Sequence, residues 1–94
     1  MEAIVQEHSE KGGAFVYYLD QRKLAEMVYV MVNDKKMIID HTEVDESLKG
    51  QGVGKRLLER LVNFVRENNI KVIPLCPFAH ATFKRMPEWQ DVLE

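Results

Sequence analysis

The chain has a single cysteine, Cys76, so it can form no disulfide within itself. One unpaired thiol points to a reducing, cytoplasmic compartment or to a free reactive group. No apolar run approaches the ~20 residues needed to cross a bilayer, so no membrane segment is expected. The opening stretch MEAIVQEHSEK lacks a basic segment followed by an apolar one, and no signal peptide is expected. Charge excess is missing too: 13 basic against 15 acidic residues leave −2. Such a chain has no global attraction for nucleic acid or anionic membrane, and any basic site must be local. Tyr17, Tyr18, Tyr29, Phe78, Phe83 and Trp89 do not interleave with basic residues as a base-stacking stripe does. Repeats and linkers are absent, and 94 residues suffice for one domain with a modest core.

What is present falls into two halves. Residues 3–7 (AIVQE) and 14–19 (AFVYYL) read as strands around a turn at Glu10, Lys11, Gly12 and Gly13. Residues 25–33, rich in β-branched and aromatic side chains, form a third strand, and 37–44 (MIIDHTEV) a fourth. Short polar connections imply an antiparallel meander. From Lys55 to Asn68, the residues Leu57, Leu58, Leu61, Val62, Phe64 and Val65 recur on one helical face. Asn68 and Asn69 end that helix. Residues 70–75 follow as a strand parallel to 37–44, because a whole helix makes the crossover. Pro74 near its end stops or splays the pairing. Pro77 suits the first turn of a short helix over 78–85, Pro87 stops it, and 88–93 form a last short segment. The expected fold is α+β in a single domain, 1–94. Its mixed sheet joins a four-stranded antiparallel meander to one parallel strand after a crossover helix, with short helices at the C-terminal end.

Glycine is scarce, yet three of the five glycines fall within residues 50–54, between a strand and a helix. Exposed N–H groups and the helix dipole favour an anion there, and missing side chains let a phosphate approach the backbone. A nucleotide P-loop is excluded, because Arg56 follows Gly54-Lys55 where a hydroxyl residue is needed and Lys49 stands in the first glycine's place. The dinucleotide fingerprint fails as well, with Lys55 where its third glycine belongs and the loop after the fourth strand of a meander.

The run Lys49-Gly50-Gln51-Gly52-Val53-Gly54, set in VDESLKGQGVGKRLL, resembles motif A of the GNAT superfamily of acetyl-CoA-dependent N-acetyltransferases. That motif has Arg or Gln at the first position, where this chain has Lys49, and small residues at the fourth and sixth. His41-Thr42-Glu43-Val44, Pro74-Leu75-Cys76-Pro77-Phe78 and Pro87-Glu88-Trp89 extend the resemblance to a short, stand-alone branch of GNAT-like proteins. The chain lacks room for the two helices most members insert between their first strands, and it lacks their C-terminal hairpin. The resemblance implies acetyl-CoA as cofactor, with Lys49, Gly50, Gln51, Gly52, Val53, Gly54 and Lys55 around its pyrophosphate. It also implies that the backbone of Thr42 and Val44 pairs with pantetheine. The thioester would then lie where this strand and the one ending at Cys76 splay apart.

Strict alternation along 37–44 places Ile39, His41 and Glu43 on one face and Asp40, Thr42 and Val44 on the other. Transfer of acetyl to an amine needs a base, for which His41 and Glu43 are candidates; the bland alternative is a solvated strand end. Cys76, before Pro77 at a helix start, is a candidate nucleophile that could carry the acetyl group with His41 as its base; its alternative is a small buried hydrophobe. Lys49, Lys55 and Arg56 are candidates for the cofactor phosphates. Cys76 and His80 stand four apart with no third ligand near, so no metal is expected. Three readings remain open: an acetyltransferase acting on an unidentified amine, a non-catalytic acetyl-CoA binder, and an interaction module whose loop takes another anion. A monomer is expected over a dimer, with neither nucleic acid nor membrane as partner.

Overall fold

The computed structural model describes residues 1–94. Strands β1 (Glu2–Ser9), β2 (Gly12–Leu19), β3 (Arg22–Asn33) and β4 (Lys36–Val44) form the antiparallel meander. Helix α1 (Val53–Asn68) crosses over to β5 (Lys71–Pro74), which pairs parallel with β4. Helix α2 (Pro77–Arg85) and a 3-10 segment (Pro87–Val92) follow, and the sheet order is β1-β2-β3-β4-β5. The α+β architecture read from the sequence is therefore the one observed.

One turn differs from the sequence reading, and a second was not read from it. Gly12 and Gly13 belong to β2, leaving Glu10 and Lys11 alone as the first turn. The second hairpin closes through Asp20 and Gln21, both in the left-handed region (φ 49° and 72°) with no glycine to signal it. Two successive positive φ values match the right-handed strand twist, which is why this two-residue connection is possible.

One cluster of 21 buried residues forms the core. Leu57, Leu58, Leu61, Val62 and Val65 of α1 meet Phe15, Met27, Tyr29, Met37 and Ile39 of the sheet there, joined by Ala79 and Phe83 of α2. Phe64 lies at the margin, against His8, Phe15 and Tyr29. The other sheet face is separate: Ala14 and Val16 are buried on it but lie outside that cluster, and Val5 and Val30 are exposed.

Arg56 ties α1 to the outer strand β1 by a bidentate pair with Glu2, and Tyr17 also donates to Glu2. The Arg56 guanidinium, and then the Tyr17 hydroxyl, hold the Glu2 carboxyl below its ordinary value. A carboxyl whose folded value is lowered adds stability above its unfolded value and loses it as pH falls through the folded one. Glu2→Gln should therefore reduce the loss of stability between about pH 7 and about pH 3, measured by urea unfolding at both. An unchanged loss would show that the pair adds nothing in solution.

Candidate functional site

The site begins where β4 outruns β5. Pairing between them stops at Ile39 and Pro74, and the amides of Leu75 and Cys76 both donate to the Ile39 carbonyl (3.1 and 3.0 Å). With both amides drawn onto one carbonyl, no regular rung follows Ile39. Residues 41–44 of β4 remain paired with β3 on one side, while β5 has ended on the other. Their outward backbone groups form a strand edge open to an extended ligand.

A bulge changes which side chains face that gap. His41 pairs with Val28 and Ile39 with Tyr29, so Asp40 is the extra residue. An extra residue shifts the two-residue alternation by one. Thr42 and Val44 consequently share the core-side face with Ile39, opposite Met27 and Ala25, while His41 and Glu43 face the outer side opposite Val28 and Glu26. The strict alternation that grouped Ile39 with His41 and Glu43 is thereby corrected. His41 and Glu43 do remain neighbours, with Nε2 and Oε1 3.6 Å apart.

Thr42, not His41, is the side-chain partner of Cys76: Oγ1 and Sγ lie 3.2 Å apart. Cys76 is buried, 3% exposed, and stands immediately before α2 with extended backbone. Its carbonyl accepts from the His80 amide at 2.9 Å, so the i,i+4 spacing serves the helix backbone.

From Val44 the chain turns through a 3-10 segment (Glu46–Leu48) capped by Asp45, whose carboxylate accepts from the Ser47 amide and hydroxyl. These two hydrogen bonds hold the Asp45 carboxyl below its ordinary value. Leu48 is buried and anchors the loop, and the Gln51 side chain donates back to the Ser47 carbonyl at 3.3 Å. Gly50 and Gly52 have φ of 80° and 72°, with open space where a side chain would point. Gly54 has a different reason: a Cβ there would meet the Phe78 ring at 2.6 Å. Two of the glycines permit a conformation, and the third permits the close approach of two helix starts.

The first backbone bond into α1 runs from Arg56 N–H to the Gly52 carbonyl. The amides of Val53, Gly54 and Lys55 precede it and have no partner within the helix. The Val53 side chain is buried, so it is the backbone of that residue that can face a ligand. These amides open on a cleft of about 630 Å³ bounded by Val44, Phe78 and the loop, with Lys49, Lys55 and Arg85 on its wall. None of those three cations takes part in an ion pair. Arg56, expected beside them, is instead committed to Glu2. Arg85 takes its place, coming from α2, where only the packing of two helix ends could reveal it.

A second residue missed in the sequence is Glu26. Its Oε2 lies 3.9 Å from His41 Nε2, and His41, Glu26 and Glu43 bring three ligand atoms within 4.8 Å of one another. Fifteen positions of chain separate Glu26 from His41, and only the β3–β4 register brings them together.

A sheet split, a glycine-lined helix start and three cations without carboxylate partners thus border one cleft. The sequence model of the GCN5-related N-acetyltransferase family matches residues 14–92, and the chain belongs to that family. Protein NATD1 of Xenopus tropicalis is 29% identical over 82 residues, covering 86% of this chain and 75% of the relative. The solution structure of a GCN5-like protein from Staphylococcus aureus is 37% identical with a TM-score of 0.72, over 96% of this chain and 87% of that one. A GNAT family acetyltransferase from Elizabethkingia anophelis, with acetyl-CoA bound, shares the fold at a TM-score of 0.69 and 11% identity, over 94% of this chain and 74% of that one. No helix is long and apolar enough to cross a membrane.

Proposed function

We propose that the protein transfers acetyl from acetyl-CoA to an amine. The observation that carries this reading is the parting of β4 from β5 at Ile39 and Pro74, directly beside the glycine loop. Family membership supports it, as does the acetyl-CoA held on the same fold by the Elizabethkingia protein.

The residues fit that ligand. Backbone amides from Gly50 to Lys55 meet the pyrophosphate, and Lys49, Lys55 and Arg85 neutralise its charge and that of the 3′-phosphate. The open edge of β4 around Thr42 to Val44 accepts pantetheine as an added strand. Bound there, acetyl-CoA supplies an activated acetyl thioester. His41 and Glu43 stand on the same strand as acceptors for the proton an ammonium must lose before it attacks.

Direct transfer is favoured over a route through Cys76, because the thiol is buried and its side-chain partner is a hydroxyl rather than a base. In the alternative, the sulfur of Cys76 bonds to the acetyl carbon, the thioester C–S bond breaks, and coenzyme A leaves as the thiol with the proton that Cys76 gives up. Intact mass measurement with acetyl-CoA separates the two. A native complex with no acetyl on the denatured chain, and Cys76→Ala retaining turnover, is the expected outcome. Acetyl surviving denaturation and vanishing in Cys76→Ala would establish the covalent route. Absence of any native complex would overturn acetyl-CoA binding altogether.

A further inference from the structure

The two edges of the sheet are built differently. β5 is four residues long and ends at Pro74, and the Glu94 amide already donates to its Val72 carbonyl at 3.1 Å. A short strand, a proline and a covering segment are devices by which proteins close an edge against further pairing. β1 has none of them. It is eight residues long, contains no proline, lysine or arginine, and pairs with β2 from Glu2 to Ser9 without a bulge.

The pairing also fixes where the backbone of β1 points. The Asp20 amide donates to the Met1 carbonyl, so the odd-numbered residues of β1 are those bonded to β2. The N–H and C=O groups of Glu2, Ile4, Gln6 and His8 therefore point away from the sheet. Among these groups only the Ile4 carbonyl has a partner, the exposed Arg60 guanidinium at 3.2 Å. A row of free donors and acceptors about 27 Å long is a template for one more strand.

The side chains decide which strand fits. Laid antiparallel on a second copy of itself, about a two-fold axis at Val5, β1 puts Ile4 opposite Gln6, Glu2 opposite His8 and Ala3 opposite Glu7. Every outward N–H then meets an outward C=O, because the even-numbered residues pair among themselves. No carboxylate faces another: Glu2, neutralised on its own chain by Arg56, meets an imidazole, and Glu7 meets a methyl group. At the axis Val5, 43% exposed, meets its own copy in a non-hydrogen-bonded pair, the closer of the two antiparallel kinds. A register moved by two residues in either direction leaves Glu2 or His8 without a partner.

We propose that β1 is a dimerisation edge, through which two copies of this chain join their sheets into one, in the register centred on Val5. The Arg60 guanidinium swings aside, and the Gln6 amide of the second copy takes over the Ile4 carbonyl. The cleft beside β4 and β5 lies at the far end of the sheet from β1, so this association is independent of what the cleft binds. It replaces the monomer expected from the sequence, in which neither the regularity of the β1 pairing nor the state of its edge is visible.

The test is sedimentation velocity of the full chain over a concentration series, with amide hydrogen exchange at its two ends. A reversible dimer is expected, in which the amides of Ile4, Gln6 and His8 exchange more slowly as concentration rises. Val5→Lys removes the apolar contact at the axis and sets two ammonium groups there. It should raise the dimer dissociation constant about tenfold or more while circular dichroism stays unchanged. Val5→Cys should cross-link with itself under a mild oxidant. Ala3→Cys and Glu7→Cys should each fail to do so alone and should cross-link when mixed, since the register sets them opposite one another. Cys76 is buried, so the introduced thiol is the one that reacts. A single monomeric species up to about 1 mM would overturn the proposal, as would a dimer that Val5→Lys does not weaken. Cross-linking of Ala3→Cys with itself, in place of Glu7→Cys, would overturn the register.

Discussion

Lys55→Glu together with Arg85→Glu is expected to weaken acetyl-CoA binding by about a hundredfold or more. Each cation lines the cleft without a carboxylate partner, so its charge is available to a ligand. A charge-assisted hydrogen bond contributes roughly 1.5–3 kcal/mol, and two of them amount to at least about 3 kcal/mol, a factor of more than a hundred in affinity. Reversal adds repulsion, partly screened in this open cleft, so the lower end of the range is the safer expectation. Thermal stability should hardly change, since no internal ion pair is lost. Isothermal titration of wild type and double variant, with a melting curve for each, checks both parts. Equal affinities would remove these residues from the phosphate site.

Gly13→Ala should be as damaging to folding as the charge reversal is to binding. A Cβ at Gly13 would lie 2.0 Å from the Glu7 carbonyl oxygen and 2.9 Å from the Tyr29 hydroxyl. The first of these is backbone on a paired strand and cannot swing aside, so β1 must move from β2. Overpacking costs of ~1–3 kcal/mol are usual where side chains can yield, and here the upper end or beyond is expected. For a domain of this size ~3 kcal/mol lowers Tm by roughly 15 °C. Movement of β1 also disturbs the hydrogen bonds that the Tyr29 hydroxyl shares with Gln6 and His8, so tyrosine fluorescence should report the change. A tolerated alanine would mean that Gly13 sits in a turn, as its sequence neighbours suggest.

The mistaken turn and the mistaken strand face have a common physical origin. A Gly-Gly pair near polar residues reads as a turn, because local sequence does not say which carbonyl will approach from a neighbouring strand. In the same way MIIDHTEV reads as eight alternating residues, because the bulge at Asp40 is visible only in the pairing of His41 with Val28 and Ile39 with Tyr29. Asp20 and Gln21 show the converse, a positive-φ turn without the glycine that would announce it.

Where an inference needed only local chemistry, the chain itself was sufficient. Apolar spacing from Leu57 to Val65 determined α1 and its buried face, Pro74 marked the end of β5, and three alternating glycines marked the helix start that opens on the cleft. Those features depend on periodicity, a fixed proline ring and missing side chains, all of which a residue carries with it. The tertiary structure alone decided that Arg85 rather than Arg56 joins Lys49 and Lys55, that Thr42 meets Cys76, and that Glu26 meets His41. Each of these pairings is a distance between segments remote in the chain, set by strand register and helix packing, and no local pattern encodes it.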